Sequence, residues 1–326
     1  MRRWLQPIPA WALAFCLAGL VTASAEETYP TRPIRFIISF PPGGSSDVVA
    51  RLVQPLVEKQ LGQPIVVDNR SGAGGVIGLD VVAKAAPDGY TIGLGAAGAL
   101  AVNVSLNEKM PYDPQRDLAP VTRLAETPFI LAAANSSTET SLREVIARAK
   151  NQPDSLSIGY GGNGTAMHLT AQLFNHMAGT HIALVPYRGS GPVTADVLAG
   201  HIPLAITDIP SSLSLIKAGQ IKALAISSRK RYPLMPDLPT FDETGVPGFE
   251  SIGWFGIVAP KGTPPAVIAK LNAAFVAALK DAELRDRILG LGADPTPSTP
   301  DEFAAFIASE IAKWKQVIAV SAAKEN

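Results

Sequence analysis

Short apolar runs recur along the chain, each followed by a glycine-rich turn and then by a segment with helical spacing. Residues 34–39 form a branched apolar run between Pro33 and Pro41, which predicts a buried strand. The chain then turns through Gly43-Gly44. The spacing beyond it predicts a helix over 47–61, capped by Ser45 or Ser46, kinked at Pro55 and stopped by Gly62. A strand at 65–67, the turn Gly72-Ala73-Gly74-Gly75, a helix ending before Pro87-Asp88-Gly89 and a strand at 91–95 follow. This β-α-β-α-β order implies a parallel sheet with right-handed crossovers.

Residues 107–128 carry four prolines and little periodicity, so a crossing between lobes is expected there. A second series then starts. It has strands at 129–133, 156–158, 183–186 and 204–207, with a helix capped by Ser141 and Glu144 and another near 193–199. Between them, Thr165 caps a helix that should place Leu169, Leu173 and Met177 on one face. A strand at 223–227 and the proline-rich run 233–247 suggest the return crossing. The strand 254–258 leads to Thr263 as a cap before Pro264-Pro265, and Thr299-Pro300-Asp301-Glu302 opens a last helix. Its apolar stripe is Phe303, Phe306, Ile307, Ile311, Trp314 and Ile318. The expectation is a hinged α/β clamp, with lobe 1 made of 26–125 and 226–326 and lobe 2 of 126–225.

The N-terminus changes this picture in one respect. Arg2 and Arg3 precede an apolar segment over 11–21, and Ala23-Ser24-Ala25 follows as a small-residue cleavage site. Residues 1–25 are therefore expected to be an export signal, since the apolar segment is shorter than the roughly 20 residues a bilayer span needs. Cys16, the single cysteine, would leave with it, so packing rather than a disulfide must hold the exported chain. The chain has 28 basic and 28 acidic residues and no basic run with interleaved aromatics, which argues against nucleic acid as a partner.

Candidate chemistry concentrates at the glycine turns. The first N–H groups of a helix have no internal partner, and with the positive end of the helix dipole they favour an anion. Gly159-Tyr160-Gly161-Gly162-Asn163-Gly164 matches the dinucleotide pattern, but residues 160–195 contain no acid to meet a ribose, and no cofactor is expected. His168, His176, His181 and His201 lack zinc-site spacing, and only His168, near the turn at 159–164, is a cleft candidate. Ser45, Ser46 and Ser190 lie in no nucleophile elbow, so they read as caps or turn residues. Asp208 ends a strand at the cleft and can cap the next helix or contact ligand.

Several motifs in order carry a resemblance: Tyr29-Pro30-Thr31-Arg32-Pro33-Ile34, Phe40-Pro41-Pro42-Gly43-Gly44-Ser45-Ser46-Asp47, Ala86-Pro87-Asp88-Gly89-Tyr90-Thr91, Pro111-Tyr112-Asp113-Pro114, Val185-Pro186-Tyr187-Arg188-Gly189 and Ala259-Pro260-Lys261-Gly262-Thr263-Pro264. The chain resembles the Bug family of extracytoplasmic solute receptors related to tripartite tricarboxylate transporters. The resemblance implies a two-lobed periplasmic-binding-protein fold (type II-like), each lobe a mostly parallel sheet flanked by helices. It further implies a periplasmic location, a small organic acid as ligand, permease subunits in the membrane as partners, and no enzyme activity. The implied ligand residues are Phe40, Pro42, Gly43, Gly44 and Ser45 in one lobe and Gly161, Gly162, Asn163 and Thr165 in the other. Ala97, His168 and Asp208 complete the candidates. Family members commonly carry Asp-Asn where this chain has Asp208-Ile209. A sensory receptor and a secreted hydrolase are the alternative readings.

Overall fold

The computed structural model describes residues 29–107 and 109–322; the expected leader, its cleavage site and Cys16 lie outside the described residues. The first expected series is present as β1 (Ile34–Ile38), α1 (Ser45–Leu61), β2 (Ile65–Asn69), α2 (Val76–Ala83) and β3 (Thr91–Ala96). Helix α1 runs unbroken through Pro55, which sits on its exposed side. β1 lies between β2 and β3, all three parallel. Beyond β3 a π-helical turn (Gly98–Val102) and the short α3 (Asn103–Leu106) follow, neither of which the apolar pattern announces.

The second half of the proline-bearing stretch is strand, while Pro111 and Pro114 lie in the turns before it. β4 (Leu118–Ala134) is 17 residues long and takes in Pro120 and Pro128. Its register against β9 (Ile252–Pro260) shifts between Pro120 and Thr122, and Pro128 stands where the strand leaves one sheet for the other. At both places a missing backbone N–H breaks no ladder bond.

The second half of the chain supplies α4 (Leu142–Asn151), β5 (Ser157–Tyr160), α5 (Ala166–Ala178), β6 (Ala183–Pro186), α6 (Ser190–Leu198), β7 (Leu204–Asp208), α7 (Ile209–Lys217) and β8 (Ile221–Ile226). β5 is parallel to both β6 and β7, while the far half of β4 runs antiparallel to β7 and β8. Each sheet thus has three parallel strands bordered by antiparallel ones. In α5, Leu169 is buried but Met177 is exposed, because the seam follows Ala171, Phe174 and Ala178 instead of the expected stripe.

The chain returns later than expected. Residues 227–251 stay with the second sheet: the N–H of Ser227 donates to Phe129 O (2.8 Å), that of Ser251 to Ser227 O (3.0 Å), and Phe241 packs on Phe249 and Phe174. β9 then rejoins the first sheet between β3 and β4. After it come α8 (Pro265–Lys280), α9 (Ala282–Gly290), β10 (Asp294–Pro295) and α10 (Pro300–Ala322). The cap of α8 is Pro264, not Thr263, whose hydroxyl donates to Pro260 O (2.8 Å). The Thr299–Glu302 capping box forms as expected, and the α10 stripe packs into the core, with Phe303, Ile307 and Trp314 buried. Among the described residues, no helix is long and apolar enough to cross a membrane.

Candidate functional site

Helix α1 begins two residues earlier than the sequence suggests. Its N-cap is Gly44 (φ −75°, ψ 166°), which has no side chain to offer, so Ser45 and Ser46 are helical residues rather than caps. The first amides of α1 therefore keep their bonding capacity at the cleft. Support comes from behind, through the almost fully buried Asp47. Its carboxylate accepts from Gly43 N (3.0 Å), Arg51 Nε (2.9 Å) and Asn69 Nδ2 (2.9 Å), and Asn69 Nδ2 also donates to Phe40 O (2.9 Å). Burial pushes the Asp47 pKa up, but these bonds and the Arg51 charge outweigh it and hold it below the usual range.

The facing turn is built differently. Thr165 caps α5, accepting from His168 N (3.2 Å) and donating to Gly162 O (2.7 Å). His168 Nδ1 accepts from Gly164 N (3.3 Å) and its ring stacks on Tyr160 at 4.8 Å. Burial lowers the His168 pKa, which favours the neutral ring this bond requires.

Two further helix ends complete the ring of termini. α6 starts at Ser190 behind Gly189 (φ 132°) and, like α1, has no side-chain cap. α7 is capped by Asp208, whose Oδ1 accepts from Ser211 N (3.0 Å) while its Oδ2 accepts from Ser45 Oγ (2.6 Å) across the cleft. Asp208 thus serves as a cap and lines the cleft at once. Burial raises its pKa, opposed by hydrogen bonds from Ser211, Ser45 and Ser190. Ile209, in the place where relatives of the resembled family carry Asn, is buried against Gly292 and does not line the cleft.

Between these termini lies a cleft with about 630 Å³ of atom-free space, part of it open to solvent. Phe40, Pro42, Gly44, Ser45 and Ala97 line it from one side, and Gly161, Thr165 and Asp208 from the other. Gly162 and Asn163 instead face an outer mouth with about 1020 Å³ of atom-free space, shared with Gly72, Gly74 and Arg188. Gly43 and His168 line neither space: the Gly43 amide is taken by Asp47, and the His168 ring supports the loop from behind. Lining residues that the sequence does not announce include Ser46, Ser190 and Gly191 at helix starts and Phe129, Met167, Trp254 and Phe255 on the hinge side. Gly189-Ser190-Gly191 after a strand repeats the glycine–serine grammar of the first turn and could have flagged Ser190 and Gly191.

Ser46 stands apart. It is 2% exposed, lines the cleft, and its hydroxyl has no hydrogen-bond partner among the described residues. Close packing holds the two sides together around it. Asn103 Nδ2 donates both to Gly98 O (2.9 Å) and to Gly164 O (2.8 Å), and a Cβ on Gly98 would stand 2.6 Å from Gly164 O. Among the described residues, no three His, Cys, Asp or Glu side chains are grouped to hold a metal ion.

Residues 49–322 match the family described as the tripartite tricarboxylate transporter family receptor. Protein BugT of Bordetella pertussis is 41% identical over 308 residues, covering 94% of each chain. Among solved structures, an R. palustris protein with adipate is 36% identical with a TM-score of 0.87, covering 90% of this chain and 98% of its own. MatC from Rhodopseudomonas palustris with bound malate is 34% identical with a TM-score of 0.85, covering 89% of this chain and 100% of its own. The two-lobed fold agrees with these likenesses. The chain belongs to the tripartite tricarboxylate transporter receptor family, the Bug family of solute-binding receptors, and is not an enzyme.

Proposed function

We propose that the protein is a periplasmic receptor that closes its two lobes on a small organic acid and delivers it to the permease of a tripartite tricarboxylate-type transporter. The observation that carries this reading is the N-terminus of α1, uncapped at Gly44, with the free hydroxyl of buried Ser46 beside it in the cleft. No Lys or Arg lines that space, so the carboxylate is held by backbone N–H groups, the Ser46 hydroxyl and the helix dipole. A helix end contributes about 0.3–1 kcal/mol at an exposed site and up to about 2 kcal/mol when partly buried. A hydrogen bond to a charged group adds about 1.5–3 kcal/mol. The adipate and malate held by the two R. palustris proteins support this ligand class.

In this reading the lobes are the sheet of β1, β2 and β3 and the sheet of β5, β6 and β7, each with its flanking helices, and the hinge lies near Thr127–Phe129 and Ser251–Gly253. The exported chain starts at Glu26, which N-terminal sequencing of periplasmic protein checks. The function is tested by mass spectrometry of ligand released from freshly purified protein, followed by calorimetry with that acid and its amide. The amide should bind at least about tenfold more weakly, equivalent to about 1.4 kcal/mol. Release of no acid, with equal binding of acid and amide, refutes the reading. Uptake of the acid by cells that carry the permease, with and without this receptor, tests delivery.

A further inference from the structure

Resting on the carboxylate-receptor reading, we infer that the acid taken by this cleft carries a single carboxylate on an apolar body, and that the hinge-side wall of Phe129, Met167, Trp254 and Phe255, together with Asp208, selects against a second carboxylate.

The inference starts from which polar groups are free. Trp254 Nε1 donates to Glu310 Oε2 (2.9 Å) and its ring packs on Phe303 and Phe306, so its indole N–H is spent away from the cleft. Thr127 Oγ1 donates to Gly292 O (2.9 Å) and Thr165 Oγ1 to Gly162 O (2.7 Å). The one uncommitted hydroxyl, that of Ser46, belongs to the α1 end and can serve one carboxylate. Ligands of this kind are oriented by a few polar groups while the rest of the pocket is apolar.

Charge points the same way. Asp208 is the only ionisable residue lining the cleft, and no basic side chain lines it. Phe129 and Asp208 are directly paired across β4 and β7, so both side chains leave the sheet on the same face. Each Asp208 oxygen already accepts a hydrogen bond, from Ser211 N and from Ser45 Oγ, so the acid presents an acceptor toward the cleft. A second ligand carboxylate at this wall would be stripped of water, meet apolar side chains and an acid, and find no basic side chain to pair with; burying an unpaired charge is strongly unfavourable. A methyl or aromatic group in the same place gains from removal of its surface from water. This separates the chain from its R. palustris relatives, whose adipate and malate each bear two carboxylates.

Calorimetry on the full exported chain, freed of any bound ligand, decides the matter with four probes: hexanoate, adipate, 2-aminohexanoate and 3-phenylpropionate. Hexanoate and adipate share a six-carbon chain and differ by a terminal methyl against a second carboxylate. Hexanoate or 3-phenylpropionate should bind at least about tenfold more tightly than adipate. Adipate binding as tightly as both, or more tightly, overturns the inference while leaving the receptor reading intact. If 2-aminohexanoate binds most tightly, Asp208 receives an ammonium and the inference is also overturned. Binding of none of the four acids overturns the receptor reading itself. In Asp208→Asn with an unchanged melting temperature, the preference over adipate should narrow at least about threefold; an unchanged preference removes Asp208 from the selection. The ranking in the parent protein stands as the test even where that variant does not fold.

Discussion

The two turns that the sequence presents as equivalent partners, residues 40–46 and 161–165, prepare their helices in opposite ways. At α5 the chain supplies Thr165, which closes its own helix end, and the loop is braced by neutral groups, His168 and Tyr160. At α1 the cap position is Gly44, the helix end stays open, and the brace is a charged cluster of Asp47, Arg51 and Asn69 behind the loop. A glycine at the cap, rather than the number of glycines in the turn, marks the helix end a ligand can use. In the proposed function the first turn holds the anion, while the second shapes the wall.

The sharpest way to break this contrast is to give α1 the cap it lacks. Gly44→Asp fits the backbone, since φ −75° and ψ 166° suit a cap and a Cβ would lie 3.5 Å from Pro41 O and 3.9 Å from Ser190 Oγ. It should fold with an equal or higher melting temperature yet lose at least about 100-fold in carboxylate affinity, about 2.7 kcal/mol, by calorimetry. Parent-like binding would show that the anion sits elsewhere.

Next in size is Gly98→Ala. Alanine favours a helical turn locally, but its Cβ would stand 2.6 Å from Gly164 O on the facing side, and 3.0 Å from Gly74 O on its own side. Affinity should fall at least about tenfold, and scattering should show a particle that no longer compacts on adding ligand. Compaction as in the parent would refute the steric role.

The reverse experiment on the other turn is milder. Thr165→Ala removes a cap and should cost about 1 kcal/mol of stability in denaturant titration. Its effect on affinity should stay within about fivefold. A larger loss of binding than Gly44→Asp causes would invert the comparison.

The smallest expected effect separates the loops by pH. His168 has a lowered pKa in the fold, so its share of stability is complete above the unfolded value of about 6.5 and is lost as pH falls through the folded value. Asp47 is also lowered, so its share is complete above about 3.9 and is lost only on stronger acidification. Amide exchange followed by NMR should therefore show residues 161–165 loosening at higher pH than residues 40–46. Simultaneous loosening would refute the assigned braces.

Much of this was legible in the sequence where one residue type has one dominant use. The strand, glycine turn and helix of each series were marked by apolar runs and punctuation, and the Thr299–Glu302 box formed as its spacing required. Proline misled at β4, because its missing N–H breaks a strand only where a ladder bond is due, and register shifts or sheet edges are invisible in one dimension. The π-helical turn that brings Gly98 to the cleft and Asn103 against Gly164 has no periodic signature. At Gly43 and His168, whether an amide or a ring points inward depends on competing partners such as Asp47 and Gly164 that sequence order does not reveal.

The 17-residue strand β4 has a further consequence for the cost of closing. The chain passes between the lobes inside an ordered, hydrogen-bonded ribbon on its outward path, and beside it in β9 on its return. No slack linker has to be ordered when the lobes meet. A flexible connection of five residues would forfeit on the order of 5–10 kcal/mol of conformational entropy if fixed on closure. In the proposed closure the motion is confined to bending a spring that is already folded, which leaves more of the ligand's contact energy as affinity.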